Sequence, residues 1–130
     1  MNNYSVGVDI HGVLDTIDYI LKPIMKALVK DNISLHIITG IPFKYVKDKL
    51  DELGVVKDVH YTHFFSVEEW LIKNNIKPIR TNSKGRNEYP NKLWDRVKGD
   101  YCKKHNIGLM LDDSDVYEKY FRTPYAKLKV

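Results

Sequence analysis

The chain alternates short apolar runs with longer segments whose apolar residues recur at helical spacing, and this alternation limits the folds open to it. Five runs have the length and composition of strands, the last with the alternation of an edge strand: Tyr4–Ile10, Ser34–Ile38, Asp58–Phe65, Gly108–Leu111 and Tyr125–Val130. Strands that alternate with helices favour a parallel sheet covered on both faces. We therefore expect an α/β fold, a three-layer α/β/α sandwich around a mainly parallel five-stranded sheet.

The segments between these runs carry helix signals. The predicted helices are Thr16–Lys30, Phe43–Leu53, a helix from Ser66 to about Asn75, Lys92–His105 and Ser114–Phe121. Gly54 stands at a helix C-cap position, and Ser66 with Glu69 forms a capping box. The stretch 76–91 contains two prolines and a glycine and is predicted to be a loop. Trp94 is predicted to be a packing residue.

Length and composition restrict the class of protein. The 130 residues, 43% hydrophobic and 29% charged, predict a single globular domain over 1–130. The longest uncharged run, Asn32–Phe43, is shorter than the roughly 20 apolar residues of a membrane span. The N-terminus lacks a secretory pattern, and the single cysteine, Cys102, fits a reducing compartment. We expect a cytoplasmic protein.

The basic residues are unevenly distributed along the chain. Residues 73–104 contain ten Lys or Arg against three Asp or Glu, whereas the rest of the chain is weakly acidic. A basic segment of this kind favours an anionic ligand and offers a surface for nucleic acid. A solvated lysine-rich face explains the same pattern equally well.

Polar residues follow three of the predicted strands where each strand ends. They are Asp9, His11 and Gly12 after the first, Thr39 and Gly40 after the second, and Asp112 and Asp113 after the fourth. In a parallel sheet these ends lie side by side, so the residues should converge on one crevice. Singly, each has a simpler explanation as a turn or cap residue. Together, clustered carboxylates call for a hard cation such as Mg²⁺, which commonly brings a phosphate with it.

These segments resemble three of the four motifs of the haloacid dehalogenase superfamily. Val6–Leu14 is similar to the first motif, an apolar strand followed by Asp-x-Asp-Gly, and Leu35–Gly40 to the second, a strand ending in Thr or Ser. Leu109–Asp113 resembles the fourth, a strand ending in paired acids. The resemblance implies a Rossmann-like fold. The spacing of the motifs leaves no room for a separate cap domain.

The third motif of that family is a single Lys or Arg upstream of the fourth motif. Lys92 lies 20 residues before Asp112, at the head of a predicted helix, and is the first choice. Lys84 and Lys98 are the alternatives.

The resemblance implies a Mg²⁺-dependent phosphatase that hydrolyses a phosphate monoester. Asp9 would be the nucleophile that forms an aspartyl-phosphate, and His11 would transfer protons. The Mg²⁺ ligands would be Asp9, the backbone carbonyl of His11, Asp112 and Asp113. The groups that contact the phosphate oxygens would be Thr39, Gly40, Gly12 and Lys92.

His11 departs from the family pattern, because the phosphatases usually carry a second Asp there. Histidine can transfer protons near neutral pH, so an active hydrolase remains one interpretation of the sequence. The alternatives are a family member that uses the phosphate site for another purpose and a non-catalytic phosphate- or nucleic-acid-binding protein.

The resemblance also bears on the substrate. Capless relatives have open sites that take large phosphates or recruit a second subunit as a lid. The expected ligand is therefore a phosphorylated small molecule, a nucleotide or a nucleic-acid end, with the basic loop 76–91 placed to contact it.

Overall fold

The predicted α/β class with a parallel sheet is confirmed. The structure, a computed structural model, describes residues 4–113 and 125–127. The parallel strands are β1 (Ser5–Val8), β2 (Leu35–Thr39), β3 (His63–Ser66) and β6 (Ile107–Asp112), in the spatial order β3-β2-β1-β6. A short segment, β7 (Tyr125–Lys127), pairs in parallel with the outer side of β6. An antiparallel hairpin of β4 (Arg80–Thr81) and β5 (Asn87–Glu88) lies outside this sheet.

In the described part of the chain, four α-helices lie between the strands. They are α1 (Asp18–Lys30), α2 (Phe43–Leu53), α3 (Val67–Lys73) and α4 (Asn91–Lys104). Both ends of α2 are as predicted, and Gly54 caps it. One half of the predicted capping box forms, since the Ser66 hydroxyl accepts a hydrogen bond from Glu69 N at 3.2 Å, whereas the Glu69 carboxylate accepts one from Phe43 N. The predicted helix Ser114–Phe121 lies outside the described residues.

Helices cover both faces of the sheet. Side chains alternate along β2, so apolar residues of this strand point to each face and pack against a helix there. Ile37 packs with Leu21 of α1 and Val46 of α2 on one face. The next residue, Ile38, packs with Cys102 of α4 on the other. This arrangement is compatible with a Rossmann-like fold. Among the described residues, no helix combines the length and apolar character needed to cross a bilayer.

The third strand begins later than the sequence predicted. The prediction started it at Asp58, whereas β3 begins at His63. Asp58 adopts a left-handed conformation (φ 66°), and its N–H donates to Tyr61 O at 2.7 Å, so a turn occupies the start of the apolar run. The predicted loop 76–91 is likewise more ordered than expected, because it contains the β4–β5 hairpin.

The strand order places a crevice beside β1. From β1 the chain moves outward through β2 and β3, and then returns to the other side of β1 as β6. Such a reversal of direction is where ligands bind in open parallel sheets, at the carboxyl ends of the strands. Val8 pairs with Ile37 of β2 and Leu111 of β6, so the residues that follow these three strands lie next to one another.

Candidate metal centre

Three carboxylates converge at the carboxyl ends of β1 and β6. Asp9 directly follows β1, Asp112 is the last residue of β6, and Asp113 comes next. One carboxylate oxygen from each lies within 4.8 Å of the others, and Asp9 and Asp112 are buried. The structure thus brings together the three acids that the sequence grouped.

A buried lysine enters the same cluster from α4. Lys98 is only 2% exposed, and its Nζ lies 3.2 Å from Asp112 Oδ2 and 3.6 Å from Asp9 Oδ2. With all groups ionised, three carboxylates and one ammonium leave two negative charges. A divalent cation would neutralise these two negative charges.

The environment of Asp9 disfavours its charged form. Burial is the largest cause that raises the pKa of Asp9, the charges of Asp112 and Asp113 raise it as well, and the resulting pKa is about 7. The ammonium of Lys98 and the N–H of Ile10, which donates to Asp9 Oδ1 at 2.9 Å, act in the opposite direction. Asp9 therefore needs additional positive charge nearby to be fully ionised at neutral pH.

Lys98, rather than the first-choice Lys92, is the lysine at this cluster. Lys92 is exposed in the first turn of α4. Lys98 lies six positions after Lys92 in the helix, which rotates the two side chains apart by about 120° around the helix axis. Trp94, four residues before Lys98, lies on the same face of the helix and lines the crevice with it. The structure therefore places the alternative Lys98, and not the first-choice Lys92, at the crevice.

Gly12 is required by the tight turn Ile10–Leu14 that follows Asp9. Its φ of 79° is left-handed, and a Cβ on it would overlap the carboxylate of Asp113. Its N–H donates to Asp15 Oδ1 at 2.8 Å. The amide that the sequence assigned to phosphate contacts is thus bonded within the turn. The role of Gly12 here is to let Asp113 approach closely.

His11 lies at the mouth of the crevice. Its side chain is 49% exposed, and Nδ1 is 3.5 Å from Asp15 Oδ2. The side chain therefore has access to solvent and lines the crevice with Asp9. This is a position from which an imidazole could exchange protons with both a bound group and water.

The opposite wall is built from the end of β2 and from α4. Thr39 is buried, and its hydroxyl oxygen accepts a hydrogen bond from Ile41 N at 3.4 Å, which leaves its O–H able to donate elsewhere. Gly40 lies against the indole of Trp94, where a Cβ would overlap the ring. Trp94, predicted to be a packing residue, therefore also lines the crevice. Its spacing of four from Lys98 was the available signal.

The crevice is lined by most of the predicted site residues, but Lys92 and Asp112 are not among them. Its volume is about 390 Å³, and its lining consists of Asp9, His11, Gly12, Thr39, Gly40, Ile41, Trp94, Lys98 and Asp113. Oxygen donors from three carboxylates suit a hard divalent cation. Hydroxyl, amide and ammonium donors on the facing wall suit an anion.

Comparisons with protein-family models, curated proteins and solved structures found no match to this chain. Inference about its function therefore depends on the residues and geometry of this crevice.

Proposed function

We propose that the protein is a Mg²⁺-dependent phosphatase of the haloacid dehalogenase type, acting on a phosphate monoester through an aspartyl-phosphate on Asp9. The observation that supports this most directly is the cluster of Asp9, Asp112 and Asp113 within 4.8 Å beside the buried Lys98. Such an arrangement is costly to bury unless a further cation balances the two negative charges that Lys98 leaves. It also combines a nucleophilic carboxylate with groups that neutralise phosphate charge.

The donor set fits Mg²⁺, which prefers carboxylate oxygens and water. Asp9, Asp112 and Asp113 would hold the ion, together with the backbone carbonyl of His11. Bound there, the ion supplies electrostatic shielding between the attacking carboxylate and the phosphoryl oxygens.

The chain's own groups divide the reaction into two displacements. A carboxylate oxygen of Asp9 forms a bond to phosphorus while the ester P–O bond breaks, and His11 donates a proton to the departing oxygen. His11 then removes a proton from water, whose oxygen attacks phosphorus and releases inorganic phosphate from Asp9. The Thr39 hydroxyl, the Gly40 amide and the Lys98 ammonium stabilise charge on the phosphoryl oxygens in both steps.

A second function has specific support. His11 replaces the acid that phosphatases of this type usually carry, and the Gly12 amide is already bonded to Asp15. Both features favour a non-catalytic protein that binds phosphate or nucleic acid in the same crevice.

Phosphate release distinguishes the two functions. We expect hydrolysis of p-nitrophenyl phosphate, or of a member of a panel of nucleotides, sugar phosphates and 3′- or 5′-phosphorylated oligonucleotides, in Mg²⁺ but not in EDTA. Asp9→Asn should abolish it, because an amide does not replace the carboxylate nucleophile. Asp48→Asn, an exposed site on α2, is the matched control and should keep full activity. No turnover on any substrate would reject the phosphatase.

Metal binding is tested separately from turnover. Mg²⁺ should raise the melting temperature of the wild-type protein, since a ligand that binds only the native state stabilises it. The rise should be lost in Asp112→Asn and kept in Asp48→Asn. Equal rises in the two variants would place the ion elsewhere.

A further inference from the structure

A group of aromatic and basic residues lies at the same edge of the sheet as the crevice. Tyr45 is in the first turn of α2, which follows β2, and Glu68 is in the first turn of α3, which follows β3. Arg86, on the β4–β5 hairpin, links the two. Its Nη2 lies 3.1 Å from Glu68 Oε2, and its guanidinium carbon lies 4.6 Å from the centre of the Tyr45 ring.

This group is connected directly to the crevice wall. Glu68 N donates to the carbonyl of Gly40 at 3.1 Å, and the Ser66 hydroxyl donates to the same oxygen at 3.3 Å. Gly40 lines the crevice. Glu68 therefore connects Arg86 to Gly40, a residue of the wall against which a phosphate would bind.

The group presents flat faces and positive charge to solvent. The Tyr45 residue is 53% exposed, and the Arg86 side chain is 32% exposed. Lys44 Nζ lies 5.0 Å from the centre of the Tyr45 ring. Within the described residues, neither Lys44 nor Lys84 at the hairpin tip forms an ion pair. The nearby Glu69 carboxylate accepts a hydrogen bond from Phe43 N at 3.4 Å.

A simpler explanation is that Arg86 only fastens the hairpin to the body of the protein. The contact with buried Glu68 is sufficient for that purpose. It does not explain why a largely exposed tyrosine lies beside two cations. Aromatic rings interleaved with basic side chains are typical of surfaces that bind single-stranded nucleic acid, because bases stack on the rings while phosphates pair with the cations.

The hairpin holds Arg86 in place before any ligand binds. Asn82 Oδ1 accepts hydrogen bonds from Lys84 N at 2.9 Å and Arg86 N at 3.0 Å. Arg80 and Glu88 form an ion pair across its strands. A preformed surface of this kind loses little conformational entropy on binding.

We propose that Tyr45, Lys44 and Arg86 form a platform for the nucleotides adjoining the terminal phosphate of a single-stranded nucleic acid. This rests on the proposed function in one respect, because it places the terminal phosphate in the crevice. Stacking on Tyr45 and Arg86 would hold the adjoining base, and Lys44 would contact the next phosphate.

Binding can be measured without turnover. The probe is a fluorescent single-stranded oligothymidylate with a 3′- or 5′-phosphate, followed by anisotropy in Mg²⁺ over a range of salt concentrations, with every protein carrying Asp9→Asn to prevent turnover. Tyr45→Leu should weaken binding about fivefold or more, the usual effect of removing one stacking ring. Tyr19→Leu, at a more exposed tyrosine on α1, is the matched control and should leave affinity unchanged.

The lysine contact has its own signature. Lys44→Gln should reduce the slope of log affinity against log salt by about one, because one phosphate contact is lost. Lys30→Gln, at the far end of α1, should leave the slope unaltered.

The outcomes separate this proposal from the phosphatase. Equal affinities for Tyr45→Leu and Tyr19→Leu, or equal binding of a blunt duplex, would overturn the platform even if phosphate release is intact. Platform-dependent binding in a protein without turnover would instead retain the platform and support the non-catalytic alternative.

Discussion

Lys98 and Asp112 form a buried ion pair in which Nζ lies 3.2 Å from Oδ2, joining the middle of α4 to the end of β6. Asp112 is fully buried and Lys98 nearly so, and the same ammonium lies 3.6 Å from Asp9. Removing one partner of a buried pair costs far more than removing an exposed charge, because the other charge is left without compensation. The stability of the fold and the charge balance of the crevice therefore depend on the same lysine.

Lys98→Met should lower the free energy of unfolding by about 3–5 kcal/mol. Lys92→Met removes an exposed charge from the same helix and should change it by about 0.5 kcal/mol or less. Urea denaturation of the two variants provides the measurement. Similar values for the two variants would contradict the placement of Lys98 in the cluster.

Gly12 and Gly85 both have left-handed φ values, 79° and 75°, but different surroundings. A Cβ on Gly12 would overlap the Asp113 carboxylate, whereas a Cβ on Gly85 meets nothing within 4 Å. Each Gly→Ala change should pay the backbone strain of about 1–2 kcal/mol. Gly12→Ala should lower the free energy of unfolding by at least about 1 kcal/mol more than Gly85→Ala does, because the added methyl group overpacks the site.

Thermal or urea denaturation measures this difference. Gly12→Ala should also weaken Mg²⁺ binding, since Asp113 has to move. Equal destabilisation by the two alanines would show that Asp113 does not pack against the turn.

Much of the fold followed from the sequence because its signals are local. The ends of α2 were predicted correctly, since Pro42 and Gly54 bound an amphipathic segment. The convergence of the acids followed from parallel strands alone. The start of β3 was missed because the turn at Asp58 lies within an apolar run.

The sequence did not identify which of the candidate lysines lies at the crevice. Lys84, Lys92 and Lys98 all lie upstream of the fourth motif, and their spacing does not show which side of α4 faces the crevice. The packing of Val97 and Cys102 against neighbouring elements settles that rotation. The sequence also did not predict the hydrogen bond from Gly12 N to Asp15 Oδ1, because this bond depends on the conformation of a tight turn.

His11 should contribute about 100-fold or more to turnover if it transfers protons, so His11→Ala should lose activity by that factor. His11→Asp should retain substantial activity, because it restores the acid usual in phosphatases that the sequence resembles. Steady-state kinetics of the three proteins on one substrate tests this. Equal turnover by wild type and His11→Ala would show that His11 does not transfer protons in the reaction.

His36 is predicted to make stability depend on pH. Its buried ring stacks on His63 at 4.3 Å, its Nδ1 lies 2.7 Å from the Tyr101 hydroxyl, and His105 and Lys104 lie at the adjoining end of α4. Burial, together with the charges of His63 and His105, lowers the pKa of His36 to about 4. The unfolded chain takes up a proton near pH 6.5 and the native protein only near pH 4, so stability falls as the pH drops through that window.

The loss attributable to His36 should be about 2 kcal/mol between about pH 7.5 and pH 5. Asp9 acts in the opposite sense, because its raised pKa stabilises the native state as the pH falls below about 7. The measurement is therefore a difference between wild type and His36→Gln in urea denaturation at the two pH values. From about pH 7.5 to pH 8.5, the difference in the free energy of unfolding between wild type and His36→Gln should stay constant. His36 is neutral in both the native and the unfolded state there. An identical pH dependence in wild type and His36→Gln would contradict the lowered pKa.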